Sequence, residues 1–599
     1  MTKQPPTWNK HFNADALWRS IHEADAVSFD FFDTLFVRPL CDPEDVFDIV
    51  GARFGLAKFR VLRKAAQAEA FRRMHASGRR EISLSDIYDC FDRVGVPASK
   101  LMQAEYAVEL DILKPNDELT SIFCEAITSG KFVLVISDMY LPKKFFLECL
   151  QRHGLPEVPV FVSSECNATK RDTGELFDFV VKAVGKNPDR FLHIGDNPVS
   201  DEAQAKRKGM RAFLYRETRK PVTAVGVSSP AASIARALIR TYGSKVTPDS
   251  YKDLGFRYGG PAAVGFLDWI VERAQLDNVD HVLFMSRDGY ILNRLAKLVD
   301  GASLPEHHYF YGSRTAFNMA AMTDKNFANF IPFLVSGADG LAPYEILERI
   351  GVTPPSARMM AELGVGDKVR FSLKTRHTIV RFLWAYRWEI LKVCRRNRKI
   401  LFRQLIELGI SDGCRVALVD IGWNGTTQEA FERAIKGLID LDIIGYYFSL
   451  SDKPECVSRQ QSYRMISMMA SCQLAPDLIS RIYRDRVLVE CFFSAPHHSI
   501  IGWMETEASI VPIEDPGRAD VSDLVSSVSA IMEGAELFAK SYWQLRKKID
   551  LRHAPVEVIL PLLELVEKGG WRSMSLFSNI KNFDAWGSSR NHDIRIVDY

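Results

Sequence analysis

Four short apolar runs, Val27–Phe29, Phe132–Ile136, Val158–Val162 and Phe191–Ile194, alternate with stretches of helical period in the first third of this chain. Runs of this length bounded by turn residues read as strands. Because they are mostly apolar, with Ser28 and His193 the polar exceptions, both of their faces need cover, which the intervening helices supply. The pattern predicts an α/β unit built on a parallel, Rossmann-like sheet. The segment between the first two runs is mostly helical in period, as in Pro43–Arg53 and Phe59–Met74. An insertion at about 41–115, directly after the first strand, reads as a helical cap.

A chain of 599 residues is too long for one hydrophobic core. Residues 1–20 read as a polar lead-in, 21–220 as the first domain and 221–250 as a linker. The linker follows from Thr218–Ile234, which loses the strand and helix pattern and carries prolines. Residues 251–500 repeat an α/β pattern, with strands expected at Val282–Met285, His308–Tyr311, Val416–Asp420 and Ile443–Phe448 and a long helix at Thr378–Leu408. Residues 501–599 read as a mainly helical C-terminal region, with Leu524–Leu551 its clearest helix.

Composition narrows the class. Basic and acidic residues number 77 and 75, a net charge of +2, so no global field draws in nucleic acid or anionic membrane. The basic run Lys392–Lys399 reads as a solvated helix face. Ten cysteines are scattered without a CxxC pair, which argues for reduced thiols and against a zinc centre. The start lacks the apolar stretch of a signal peptide, and no run is long enough to span a bilayer. A cytoplasmic protein is expected.

The chemistry gathers at the strand ends. Asp30-Phe31-Phe32-Asp33-Thr34-Leu35 follows the first strand, and Ser137 ends the second, before Asp138. Lys170 stands in the loop Asn167–Gly174, and His193-Ile194-Gly195-Asp196 continues to Asp201 after the fourth. A carboxylate at the carboxyl end of the first strand lies where such sheets bind ligands. Read singly, Asp30 and Asp196 are helix caps and Lys170 a surface lysine. That reading leaves their joint placement unexplained.

These pieces resemble the four motifs of the haloacid dehalogenase (HAD) superfamily, over roughly residues 24–220, and the insertion resembles its helical cap. The resemblance implies Asp30 as the nucleophile that becomes an aspartyl phosphate, Ser137 as a donor to the phosphoryl group and Lys170 as its counter-charge. It implies Mg²⁺ held by Asp30, the main-chain carbonyl of Phe32, Asp196 and Asp201, with Thr34 and Asp138 beside the substrate. The chemistry agrees, since a carboxylate attacks phosphorus only where the gathered negative charge is offset.

One position departs from the pattern. Superfamily phosphatases usually carry a second Asp two residues after the nucleophile, as general acid and base. This chain has Phe32 there and Asp33 next to it. Asp33 reads either as a substitute acid or as a carboxylate that stabilises the loop. The wording FDFFDTL, SDMYLP and HIGDN further resembles large bacterial members associated with glycosyltransferases of surface-polysaccharide synthesis, which implies those enzymes as partners.

In the second domain, Ser286-Arg287-Asp288-Gly289-Tyr290 and Asp420–Gln428 each follow an expected strand. The Gly425-Thr426-Thr427 turn reads either as an anion-binding loop, with Asp288, Thr426 and Thr427 as ligand contacts, or as an ordinary tight turn. The pairs His307-His308 and His497-His498 read as structural, since neighbours on a strand point to opposite faces. The expected function is a Mg²⁺-dependent phosphoryl hydrolase or phosphotransferase acting on a phosphorylated small molecule in surface-polysaccharide or glycan synthesis. The alternatives are a degenerate scaffold in polysaccharide assembly, or a transferase whose active site lies in the second domain.

Overall fold

The computed structural model describes residues 13–91, 95–216, 229–241, 247, 249–298, 304–366, 368–472, 474–507, 509–515, 522–551, 555–580 and 595–598. The chain divides into two compact units, Met1–Pro248 with Ser541–His553, and Asp249–Lys540 with Ala554–Tyr599.

The first unit contains β1 (Ala26–Phe29), β2 (Phe36–Val37), β3 (Lys114–Pro115), β4 (Phe132–Ser137), β5 (Val160–Val162), β6 (Phe191–Gly195) and β7 (Arg211–Leu214). Five of these form one parallel sheet in the order β5-β4-β1-β6-β7. Every residue of β1 and β6 is buried, the polar Ser28 and His193 included, so both faces of these strands are covered. On one face Phe177 and Val180 of helix Glu175–Val184 pack with Ala26, Leu134, Ile136 and Phe191. On the other, Phe29 meets Phe123 of helix Asp117–Thr128 edge to face, with ring centroids 5.5 Å apart.

Strand order sets the site. From β1 the sheet extends through β4 to β5, and helix Glu175–Val184 then returns the chain to β6 on the other side of β1. The loops leaving β1 and β6 therefore diverge, opening a crevice at the carboxyl ends of the strands.

Between β1 and β4 run helices Asp45–Arg53, Phe59–Ala76, Leu84–Tyr88 and Ala98–Ile112. The antiparallel pair β2–β3 closes the neck of this insertion. Inside it Arg63, wholly buried, forks onto Glu105 at 2.6 and 2.7 Å, and the Tyr88 hydroxyl donates to the same carboxylate at 2.6 Å. A buried pair of this kind is costly to break, about 3–5 kcal/mol when one partner is removed. It fixes how two of the helices pack.

The second unit contains β8 (His281–Met285), β9 (Glu306–Phe310), β10 (Arg415–Asp420), β11 (Asp442–Tyr447) and β12 (Met465–Ser467), all parallel, in the order β12-β11-β10-β8-β9. Its switch point falls between β8 and β10. The α/β class expected from the sequence is thus met in both units. The expected helix Thr378–Leu408 is two, Arg376–Ala385 and Arg387–Glu407. In the basic run Cys394 and Asn397 face inward, Lys392, Arg395, Arg396 and Lys399 outward, and Arg398 donates to the Ala320 and Met322 carbonyls.

The start of the region read as mainly helical is instead a hairpin, β13 (Ile500–Glu505) and β14 (Ile510–Glu514), whose Trp503 is buried in the core of the second unit. Much of the expected linker lies outside the described residues, but Pro230–Thr241 is a helix. All ten cysteines are free. Among the described residues no helix is long and apolar enough to cross a membrane.

Candidate active site

β1 delivers Asp30 to the crevice, and the Asp30 amide donates to the Ile194 carbonyl at 2.8 Å, stitching the loop after β1 to β6. Lys170 reaches the same point from the loop before helix Glu175–Val184. Asp138 holds that loop, its carboxylate accepting from the Lys170 amide at 2.8 and 3.0 Å and from the Arg171 amide at 2.9 Å. The Lys170 ammonium then donates to Asp30 Oδ1 at 2.6 Å, to Asp201 Oδ1 at 2.6 Å and to the Ile136 carbonyl at 3.2 Å. Three acceptors saturate its three protons.

Asp201 arrives on a wide π-helical turn, Pro198–Ala203, whose start is capped by the Asn197 side chain. The Asn197 amide donates to Asp201 Oδ2 at 2.9 Å. Gly195 makes room for this approach, since a Cβ there would stand 2.5 Å from Asp201 Cβ. Gly195→Ala is therefore expected to push Asp201 out of place, which for the Mg²⁺ site proposed below means a loss of about 10–100-fold in affinity, the scale of losing a group that orients a metal ligand. Calorimetric titration of Mg²⁺ checks this, and unchanged affinity would contradict the metal-binding role proposed for Asp201.

Asp196 completes a buried cluster in which oxygens of Asp30, Asp196 and Asp201 lie within 4.8 Å of one another. Burial pushes the Asp30 carboxyl well above the ordinary carboxylate range against the pull of Lys170, and the charges of Asp201 and Asp196 add to the rise. Burial also disfavours charge on Asp201, but Lys170 and His193 overcome it and hold that carboxyl far below its usual value. Lys170 stays charged because Asp201 and Asp30 outweigh its own desolvation. With all three carboxyls ionised, one ammonium leaves two negative charges in an all-oxygen cluster, a donor set that suits Mg²⁺, and a bound dication would offset the burial that disfavours charge on Asp30.

Under the cluster, Ser28 and His193 are register partners on β1 and β6. Ser28 Oγ lies 2.9 Å from His193 Nδ1, and His193 Nε2 lies 3.3 Å from Asp201 Oδ1. Burial keeps this imidazole neutral by lowering its pKa, so an Nε2 proton facing Asp201 leaves Nδ1 to accept from Ser28. In the sequence His193 stands at the head of its strand-end motif and Ser28 within an apolar run, neither with a role. Their signal is positional, Ser28 standing two residues before Asp30 and hence on the same strand face.

Ser137 ends β4 and is buried, one strand away from Asp30. Thr34 is also buried at the neck of the insertion; its carbonyl accepts from Asn116 Nδ2 at 2.8 Å, while its hydroxyl has no hydrogen-bond partner. Asp138, read as a substrate contact, is occupied with the Lys170 loop. Phe32 packs against Phe31, Phe145 and Phe146, with the Arg38 guanidinium carbon 3.9 Å from its ring centroid. Arg38 is itself anchored to Glu109 at 3.0 and 3.4 Å. Asp33 adopts a left-handed backbone, φ 54°, and its carboxylate acts on Arg38. A cavity of about 570 Å³ lies where the insertion meets the loop after β4, lined by Met102, Tyr106, Leu110, Tyr140 and Pro142 among others. Its lining does not include Asp30.

In the second unit Asp288 follows β8, Asp420 ends the adjacent parallel β10, and the two come within hydrogen-bonding reach of each other at the switch point. Burial, then the mutual charge, pushes the Asp288 carboxyl well up. The Asp420–Thr427 loop is tied from within: Asp420 accepts from the Gly422 amide at 3.2 Å and from the Thr427 hydroxyl, and Gly425 turns the chain at φ 68° into helix Thr426–Ile435. Thr426 opens that helix, half-buried. His497 is structural, accepting at Nε2 from Tyr309 at 2.6 Å and donating from Nδ1 to the His498 carbonyl at 2.8 Å.

No protein-family model matches the sequence, and no curated protein matches it. Solved structures with partial likeness include a 2-haloacid dehalogenase from Pseudomonas syringae pv. Tomato DC3000, 20% identical, covering 35% of this chain and 92% of that one at a TM-score of 0.25. A HAD phosphatase from Thermococcus onnurineus is 20% identical over 34% of this chain and 91% of its own, with a TM-score of 0.24. The L-2-haloacid dehalogenase of Xanthobacter autotrophicus is 18% identical over 33% and 80%, with a TM-score of 0.24. At these values the likenesses carry no argument about activity, and the functional reading rests on the geometry of the site.

Proposed function

We propose that the first unit is a HAD-like, Mg²⁺-dependent phosphoryl hydrolase or phosphotransferase with Asp30 as its nucleophile. The observation that carries this reading is the convergence of Asp30, Lys170, Asp196 and Asp201 at the switch point of a parallel sheet. A carboxylate oxygen of Asp30 attacks phosphorus, the bond from phosphorus to the leaving oxygen breaks, and that oxygen takes its proton from solvent water, since Phe32 stands where an acid would. Water, or an acceptor hydroxyl, then takes the phosphoryl group from Asp30. Lys170 offsets charge on Asp30 and on the incoming phosphoryl, and Asp138 keeps Lys170 in place. Asp30, Asp196 and Asp201 would hold Mg²⁺, which when bound supplies the charge that lets an anionic nucleophile meet an anionic substrate. The insertion would exclude water and select the substrate.

The substrate class we infer is a phosphorylated small molecule, a sugar or nucleotide-sugar intermediate of surface-polysaccharide or glycan synthesis, with glycosyltransferases as partners and the cytoplasm as the compartment. That part rests on the sequence resemblance alone. A second reading places chemistry in the second unit, favoured by the Asp288–Asp420 pair at its own switch point. Screening phosphorylated metabolites for phosphate release, with Mg²⁺ and then with EDTA, tests the first reading. Activity that needs Mg²⁺ and survives Asp420→Asn is expected. Activity lost on Asp420→Asn but not on Asp30→Asn would favour the second.

A further inference from the structure

The amino ends of the strands in the second sheet carry a cluster of different chemistry. β8 opens with His281, β9 with Glu306, and His281 is the register partner of Glu306. His308, two residues beyond Glu306, shares its face of the sheet, whereas His307 turns to the other and contacts the Pro305 carbonyl. One ligand atom from each of His281, Glu306 and His308 lies within 4.8 Å of the other two. His281 Nδ1 stands 3.8 Å and His308 Nε2 3.4 Å from oxygens of the Glu306 carboxylate. The two imidazoles lie roughly parallel, 24° between planes.

Two further observations point to a ligand. The His281 side chain is only 9% exposed, yet its Nδ1 has no hydrogen-bond partner, and the buried Nε2 of His308 has only its long contact with Glu306. Native interiors seldom leave such atoms unmatched. Both face one carboxylate, His281 Nδ1 from 3.8 Å, beyond hydrogen-bond reach, and His308 Nε2 from 3.4 Å, a long contact. Zinc–nitrogen and zinc–oxygen bonds of about 2.0–2.2 Å in a tetrahedral arrangement set ligand atoms roughly 3.3–3.5 Å apart. The observed His–Glu distances of 3.4 and 3.8 Å need only small side-chain adjustments to reach that spacing, and the two histidine nitrogens lie within 4.8 Å of each other.

We propose that His281, Glu306 and His308 form a binding site for a first-row transition-metal dication of the Zn²⁺ class, at the opposite end of the sheet from Asp288 and Asp420. Two imidazoles and one carboxylate select such ions, while the all-oxygen Asp30 cluster selects Mg²⁺. Three protein ligands leave a coordination position for water or another donor, and the Glu306 side chain, 62% exposed, places that position at solvent. Nothing in the sequence marks this trio, because its members come together only through the register of β8 with β9. An ordinary His–Glu ion pair is the competing explanation.

The test is a titration of the full chain with Co²⁺, a coloured stand-in for Zn²⁺, under excess Mg²⁺ to fill the Asp30 cluster. Wild type is expected to bind one equivalent with visible absorption, and His281→Asn, His308→Ala and Glu306→Gln each to bind at least about tenfold more weakly. Glu306→Gln is exposed and so decides the matter if a histidine variant fails to fold. Phosphate release at the Asp30 site should be unchanged in Glu306→Gln. Absence of Co²⁺ binding by wild type, or binding equal in wild type and Glu306→Gln, overturns the proposal.

Discussion

Asp30→Asn is expected to lower phosphate release by at least about 10⁴-fold while leaving the protein folded. Removing a nucleophile that acts as one unit with its partners costs several orders of magnitude, because the remaining groups have nothing to act upon. The same change should be gentle on stability. Asn keeps the shape and an oxygen for the Lys170 ammonium now 2.6 Å from Asp30 Oδ1. It also removes one of three buried negative charges, and burial already disfavours charge on Asp30. Lys170→Met should do the reverse. It leaves three buried carboxylates without their cation, and stranding buried charge costs about 3–5 kcal/mol. Mg²⁺ should stabilise wild type, by about 2.7 kcal/mol at a hundred times its Kd, and should stabilise Asp30→Asn less. Thermal unfolding with and without Mg²⁺, alongside a phosphate assay, reads both halves. If Asp30→Asn retains more than a hundredth of wild-type activity, Asp30 is not the nucleophile.

The contrast between what was legible and what was not has a physical cause. Strands buried on both faces announce themselves as continuous apolar runs, so β1, β4 and β6 were readable to within a residue or two. Of the four edge strands, β5 and β9 were readable too, but β7 and β12 were not: Arg211–Leu214 is half-exposed throughout and Met465–Ser467 is only three residues long. Asp30, Ser137, Lys170, Asp196 and Asp201 were readable as candidates because strand-end position carries meaning in a parallel sheet. What each touches was not. Asp138 looked like a substrate contact from its place after β4, yet its carboxylate is consumed by the Lys170 and Arg171 amides. Ser28 with His193, and His281 with Glu306 and His308, depend on register between strands far apart in sequence. Hydrophobic pattern fixes which face a residue takes, but not which neighbour it meets.

Phe32 is where sequence and structure combine into the most informative substitution. Phe32→Asp should raise hydrolysis of a good phosphoryl donor, because water attacking the aspartyl phosphate gains a base and the leaving group an acid. General acid–base help is worth roughly 10²–10⁴-fold, so the gain should not exceed that range. The surroundings argue for the lower part of it. The Arg38 guanidinium lies 3.9 Å from the centre of the Phe32 ring, so a carboxylate there would be drawn into a pair with Arg38 and held less basic. Arg38 is already shared with Glu109, which limits that pull. The new charge would also add to those of Asp30, Asp196 and Asp201, repulsion that Mg²⁺ must offset. Loss of ring contacts with Phe31, Phe145 and Phe146 will cost some stability, so activity must be measured per folded molecule. The wild type should meanwhile accumulate aspartyl phosphate, or pass the phosphoryl group to an acceptor better than water. Quench-flow with a labelled donor distinguishes the outcomes. A wild type that hydrolyses its donor at ordinary phosphatase rates, traps no intermediate and gains nothing from Phe32→Asp already has a proton carrier. Asp33, whose carboxylate acts on the same Arg38, is then the residue to replace by Asn.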